Sequence, residues 1–344
     1  MEARAVFSLP RFRLESGAEI PVRIGYRTWG RLNPARDNAV LVCHHFSGDT
    51  RAAGPGGWWE GLVGPGKAID TDRYFVICPS MLANLNREEV STGPATGDPE
   101  TGRPYGKRFP PLNVRDDVRL QRELLRHLGV DRLALVGGPS MGGYQALTWA
   151  VEFPDVPRAV VAAVTAARTP AFTALVPAEA AAAAIEADPR WQGGDYHGGP
   201  EPVDGLTRAA FLLTVTARGP AWAERNLPGG DPREAVWAIA RERAAGWHAS
   251  HFVAMIRKWQ AFDLAAPHGS LEAALARVRA GVLLLPVRTD LFFPPSHSLD
   301  LADRLQRLGK DARCEVVETD GGHLAGVVEA DRFEVAVRRF LAET

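Results

Sequence analysis

Two hydrophobic periodicities alternate along most of this chain. Near the N-terminus AVFSLPRFRL, IPVRIGYRTWG and NAVLVCHH read as short strands, set apart by the turn-forming runs ESGAE and NPARD. Later apolar runs lose the strict alternation. YFVICPS (74–80), RLALVGG (132–138), RAVVAAVTA (158–166), GVLLLPVR (281–288) and CEVVET (314–319) have the composition of strands buried on both faces of a sheet. Helical patterns separate them. In NVRDDVRLQRELLRHLG, Val114, Val118, Leu125 and Leu128 fall along one face, with Leu124 beside it and charges opposite, and Gly129 stops the helix. SLDLADRLQRLGK and EADRFEVAVRRFLAET read the same way. This alternation predicts an α/β fold with a mostly parallel sheet and right-handed crossovers.

The alternation lapses between about 167 and 266. Here PAEAAAAAIEA reads as a helix with Pro177 in its first turn, DPRWQGGDYHGGPEP as a loop, and FLLTVTARGPAWAERN and SHFVAMIRKWQAFDLA as further helices. With no strand to add to the sheet, 167–266 is expected to be a helical insertion lying over it as a lid. It divides the core into 1–166 and 267–344.

Composition narrows the partners. Forty basic residues balance 41 acidic ones without a Lys/Arg block, so an electrostatic grip on nucleic acid or anionic lipid is not expected, and a small-molecule substrate is. Cys43, Cys78 and Cys314 are odd in number and far apart, which argues for buried thiols rather than disulfides or a metal site. MEARAVFSLPRFRLESG lacks the long apolar run of a signal peptide or anchor, and no later segment approaches a membrane span. The expected location is the cytoplasm.

The chemistry gathers around LALVGGPSMGGYQALTWA. Gly138-Pro139-Ser140-Met141-Gly142 fits G-x-S-x-G, with a strand before it and a helix after it. Such a turn is too tight for side chains at the flanking positions and presents the serine hydroxyl in a strained conformation. The helix that follows offers free N–H groups to a developing oxyanion. A plain glycine-rich turn with a serine N-cap fits the same letters.

A serine nucleophile needs a base, and the base needs an orienting acid. His323, in ETDGGHLAG after CEVVET, and Asp290, in PVRTDLFFPP after GVLLLPVR, follow Ser140 in the expected chain order at two late strand ends. Asp320, just before His323, is a rival acid. For the oxyanion hole the expected donors are the backbone N–H groups of Met141 and of Phe46 in VLVCHHFSGD. His44, His45 and Asp49 in that loop lack a third strong partner at metal-binding spacing and are read as pocket residues.

GPGKAIDTDRYFVIC, STGPATGDPETGRPYGKRFP, GGPSMGGYQAL, DLFFPP and the GH of GGHLAG, taken together and in this order, resemble the homoserine O-acetyltransferase family. The resemblance covers nearly the whole chain. It implies an α/β-hydrolase fold and a ping-pong reaction in which Ser140 takes an acyl group from acyl-coenzyme A and passes it to a small hydroxyl acceptor such as homoserine. Acyl-CoA would be a co-substrate, with no metal or redox cofactor, and the chain would form a homodimer through its lid helices. TVTARGPAWAER resembles the family segment whose arginine lies in the acceptor pocket, which implies carboxylate binding by Arg218.

Several positions depart from the family pattern. Ala217 stands where tyrosine is usual, Leu324 where an acid usually follows the histidine, and Pro139 where glycine usually precedes the serine. MLANLNREEV replaces a glycine-rich segment, and HASHFVAMIRKW is altered. Two outcomes for an acyl-serine therefore stay open: transfer to an alcohol, or hydrolysis by an esterase with the same residues.

Overall fold

The computed structural model describes residues 2–227 and 231–344. Its eight-stranded sheet is built from β1 (Glu2–Arg13), β2 (Glu19–Trp29), β3 (Ala39–Val42), β4 (Phe75–Pro79), β5 (Leu135–Pro139), β6 (Ala159–Ala163), β7 (Gly281–Leu285) and β8 (Ala312–Cys314). The spatial order is β1-β2-β4-β3-β5-β6-β7-β8. β1 pairs antiparallel with β2, and β2 antiparallel with β4; every later pairing is parallel. The apolar runs of β3, β5, β6 and β7 are buried at every position, as strands covered on both faces must be. β1, at the open edge, keeps an exposed face, and its register shifts between Leu9 and Phe12, where Pro10 has no N–H to give the ladder.

The helix α1 (Val114–His127) starts where Asn113 and Asp116 form a reciprocal cap, and the chain turns away at Gly129, whose φ is +70°. The helix α2 (Met141–Glu152) follows β5 directly and is buried along almost its whole length. Between β6 and β7 the described residues add no strand to the sheet. They form α3 (Ala180–Glu186), α4 (Val203–Thr216), α5 (Pro220–Asn226), α6 (Pro232–Ala245) and α7 (Ala249–Gln260). Of the predicted insertion, 228–230 lie outside the described residues.

Two local expectations are corrected. Pro177 is not in a first turn: the helical path begins at Ala171–Thr173 and widens into a π-type turn over Ala174–Glu179 that holds Pro177 inside it. Proline cannot donate the regular helical bond, and the wider turn accommodates it. CEVVET is not a continuous strand either. β8 ends at Cys314, and a single bridge pairs Val287 with Val317 in the same register. Between them stands Pro286, which has no N–H for the ladder although its carbonyl accepts from Val317. Asp290 and His323 both follow this bridge.

The thiols of Cys43 and Cys78 are buried, the former just past β3 and the latter in β4, while Cys314 is half-buried; all three are free. Burial raises the pKa of each. No helix among the described residues is long and apolar enough to cross a membrane.

Candidate active site

Ser140 sits at the junction of β5 and α2 with φ 57° and ψ −119°, a conformation outside the ordinary regions for an L-residue. Its neighbours explain the spaced glycines. A Cβ on Gly142 would run into the carbonyl oxygen of Cys43 and lie 2.9 Å from the carbonyl carbon. A Cβ on Gly138 would strike that same oxygen and lie 2.9 Å from the Gly142 backbone. The end of β3 therefore presses on the turn from outside, and only hydrogen fits at both positions. Behind it, Ser140 N–H donates to Ala163 at 2.9 Å, and Thr165 Oγ1 donates to the Ser140 carbonyl at 3.0 Å. These bonds tie the strained residue to β6.

His323 Nε2 lies 2.9 Å from Ser140 Oγ, and His323 Nδ1 lies 2.9 Å from Asp290 Oδ2. All three residues are buried. The other oxygen of Asp290 accepts the N–H groups of Phe292 at 2.8 Å and Phe293 at 3.0 Å, so both carboxylate oxygens are engaged and the side chain is fixed in place. The rings of those phenylalanines lie 4.6 and 5.4 Å from the imidazole, centroid to centroid, and fix its plane. The rival acid Asp320 points elsewhere. It pairs with Arg225, which lowers its pKa.

Met141 opens α2, where backbone N–H groups have no partner within the helix. Phe46 lines the cavity over Ser140 from the loop after β3. Neither N–H donates to a protein acceptor among the described residues. The loop is set by His44, whose Nδ1–H donates to the His45 carbonyl at 2.8 Å and whose Nε2 accepts Met81 N–H at 3.0 Å. Burial lowers the His44 pKa to about 4, which keeps the ring neutral and able to accept. Burial likewise lowers the pKa of His45. Asp49 caps the Arg51 backbone and side chain. Thus His44 and Asp49 are engaged in loop structure, and His45 in the cavity wall.

The cavity is small, with about 50 Å³ open to the centres of water-sized molecules. Ser140 and His323 form its floor, and Leu213, Ala217, Trp247 and Trp259 close it from the helical segment. Arg218 does not line it. Its guanidinium lies 4.3 Å from the centre of the Trp222 ring, where the cation and the π face attract. The guanidinium that does line it belongs to Arg243 on α6, which periodicity alone does not separate from its exposed neighbour Arg241. The histidine loop is joined to the helical segment by a bond from Leu324 N–H to the Ala217 carbonyl at 3.0 Å.

The family described as alpha/beta hydrolase fold matches residues 38–330. A homoserine O-acetyltransferase of Symbiobacterium thermophilum is 40% identical, over 96% of this chain and 91% of its own. Among solved structures, the homoserine O-acetyltransferase from Bacillus anthracis superposes with a TM-score of 0.96 at 34% identity, covering 99% of this chain and 98% of that one. Esterase E22 superposes at 0.94 with 33% identity, covering 99% and 100%. Matched in sequence and in fold over nearly its whole length, the chain belongs to the homoserine O-acetyltransferase family of α/β-hydrolase-fold enzymes.

Proposed function

We propose that the protein is a serine-dependent acyltransferase that moves a short acyl group from acyl-CoA to the hydroxyl of a small acceptor such as homoserine. The observation that carries this reading is the unbroken chain of bonds from Ser140 Oγ through His323 to Asp290. Ser140 Oγ attacks the thioester carbonyl while His323 Nε2 takes its proton, and Asp290 stabilises the imidazolium that forms. The oxyanion is met by the N–H groups of Met141 and Phe46. Collapse of the tetrahedral species expels coenzyme A, which receives the proton held on Nε2, and leaves acyl-Ser140. The acceptor hydroxyl then gives its proton to Nε2 and attacks the ester; the second tetrahedral species breaks its bond to Ser140 Oγ, which takes the proton from Nε2, and the acylated acceptor leaves. No step calls on a metal or redox cofactor.

Residues 167–266 act here as a lid. The apolar side chains it places over Ser140 favour an alcohol over water for the acyl-enzyme. The tight cavity favours a short acyl group over a long chain. A homodimer joined through these helices and a cytoplasmic location complete the reading.

A second reading has its own support. A neighbour as similar as esterase E22, together with an acetylester hydrolase from Corynebacterium glutamicum at TM-score 0.86 and 27% identity, favours hydrolysis of small esters by the same residues. Incubation with acetyl-CoA, with and without homoserine or serine, separates the two. Thiol release that depends on the acceptor is expected. Acceptor-independent release of the thiol would replace the transferase with the esterase. Ser140→Ala and Asp290→Asn should each lower turnover by about 10³-fold or more, and normal activity in either would overturn the assignment.

A further inference from the structure

Arg243 is unusual among the arginines of this chain. It projects from α6 into the cavity of the serine, yet no carboxylate stands within ion-pair distance of it among the described residues. Its one side-chain bond runs from Nη1 to Thr214 Oγ1 at 3.2 Å, and that hydroxyl donates onward to the Ala210 carbonyl at 2.7 Å. The other N–H donors of the fork have no protein acceptor. Burial disfavours the charge, and the Arg218 guanidinium is close enough that the two cations repel. The fold thus keeps a half-buried cation on the Ser140 cavity with no carboxylate in ion-pair contact among the described residues; the exposed Glu242 beside it in the chain favours the charge only through space. Elsewhere its arginines are commonly paired, as Arg225 is with Asp320 and Arg257 with Glu179 and Glu186.

The rest of the cavity sharpens the point. Its lining contains His45, Phe46, Ser47, Leu213, Trp247 and Leu324, among others, and no aspartate or glutamate among the described residues. A substrate anion would find a fork of donors there, whereas a substrate ammonium would be stripped of water with no counter-charge to meet it. The anion must sit close to the reacting carbonyl. That excludes the phosphates of coenzyme A, which a full pantetheine arm holds away from the thioester.

We propose that Arg243 binds the carboxylate of a small substrate at the Ser140 cavity, and that this substrate is a simple anion, such as a hydroxy acid or a dicarboxylic half-acyl group, rather than a zwitterionic amino acid. The inference rests on the reading of Ser140 as the acylated residue and revises its substrate, ranking homoserine below a simple anion. The carboxylate can enter on the acceptor or on the acyl group, and the guanidinium recognises the same chemistry in both.

The test uses matched pairs. On the acceptor side, acetyl-CoA is supplied with 4-hydroxybutanoate, its methyl ester, or homoserine. On the acyl side, 4-nitrophenyl hemisuccinate is compared with its methyl ester. In at least one arm kcat/KM should favour the anion over the ester by about tenfold or more, and 4-hydroxybutanoate should outperform homoserine. Arg243→Gln should collapse the anion-to-ester ratio to near unity, and Arg243→Lys should keep part of it. Equal rates for anion and ester in both arms, a better rate with homoserine, or collapse in Arg218→Gln instead of Arg243→Gln would overturn the proposal. A measurement on the unmodified chain guards against a variant that does not fold. Butyrate should inhibit 4-nitrophenyl acetate turnover at a concentration about tenfold or more below butyramide, and equal inhibition would also overturn it. Failure of the underlying reading looks different: Ser140→Ala would then still turn over 4-nitrophenyl acetate.

Discussion

Replacing Gly142 by alanine would place a methyl group 2.9 Å from the carbonyl carbon of Cys43 and 3.2 Å from the carbonyl oxygen of His44. Carbon atoms in ordinary contact stand about 3.5–4.0 Å apart, so the two backbones must part by about 1 Å. Neither side can yield by turning a side chain, because both are main chain. One side carries Ser140 and the Met141 N–H; the other leads through His44 to the Phe46 N–H. The displacement therefore pulls Ser140, the proposed nucleophile, away from one of its two proposed oxyanion donors. A misplacement of this size costs about 100-fold in rate, equivalent to about 2.7 kcal/mol of barrier.

Stability should fall as well. The clash costs about 1–3 kcal/mol, offset by at most about 1 kcal/mol from alanine's better helix propensity. The assay is saturating turnover of 4-nitrophenyl acetate, normalised to active sites by the acylation burst, with the unfolding midpoint read by calorimetry. Gly97→Ala is the control, since a Cβ there meets nothing within 4 Å. Folded Gly142→Ala enzyme with turnover within about threefold of the parent would refute the claim that this contact sets the geometry.

Two further predictions concern buried charge. His44 and His251 both accept backbone N–H groups, from Met81 and Ala95, and burial lowers their pKa values to about 4 and about 3 from 6.5. Above pH 6.5 both states of the chain are neutral at these rings; below it the unfolded chain takes up protons that the folded chain refuses, so each histidine should remove about 2 kcal/mol of stability by pH 5. Urea unfolding at pH 7 and pH 5 measures this, with a smaller drop expected in His251→Gln and a pH-independent midpoint as the contrary result. Lys258 Nζ, fully buried, donates to Asp117 at 2.7 Å and to the Leu82 carbonyl at 2.9 Å, so Lys258→Met strands a carboxylate in the core and should cost about 3–5 kcal/mol. Adding Asp117→Leu should restore much of that loss, and an unchanged midpoint in the single variant would argue against the pair.

Much of the fold is legible in the chain because the relevant physics is local. A strand covered on both faces must be apolar throughout, which is why β3, β5, β6 and β7 stand out. A turn that admits no Cβ must carry glycine, which is why Gly138 and Gly142 frame Ser140. Chain order then points to Asp290 and His323, since the late strand ends of a parallel sheet lie on the same side as the earlier ones. Proline shows the reverse case. Its missing N–H is visible in the sequence, but where the deficit falls is not: Pro177 widens a helix that periodicity would start at it, and Pro286 interrupts the ladder between β7 and β8.

The sequence by itself determined the strand and helix alternation, the elbow and the order of its candidate partners, because each depends on neighbours a few residues away. Only the tertiary structure decided what presses on the elbow and which cation faces it. The Cys43 carbonyl that forbids side chains at Gly138 and Gly142 lies just past β3, about a hundred residues away in the chain. Arg218 and Arg243 both sit in helical surroundings with similar letters around them, yet one stacks on Trp222 and the other lines the cavity. Periodicity gives a helix a face, but the packing of one helix on another decides what that face meets.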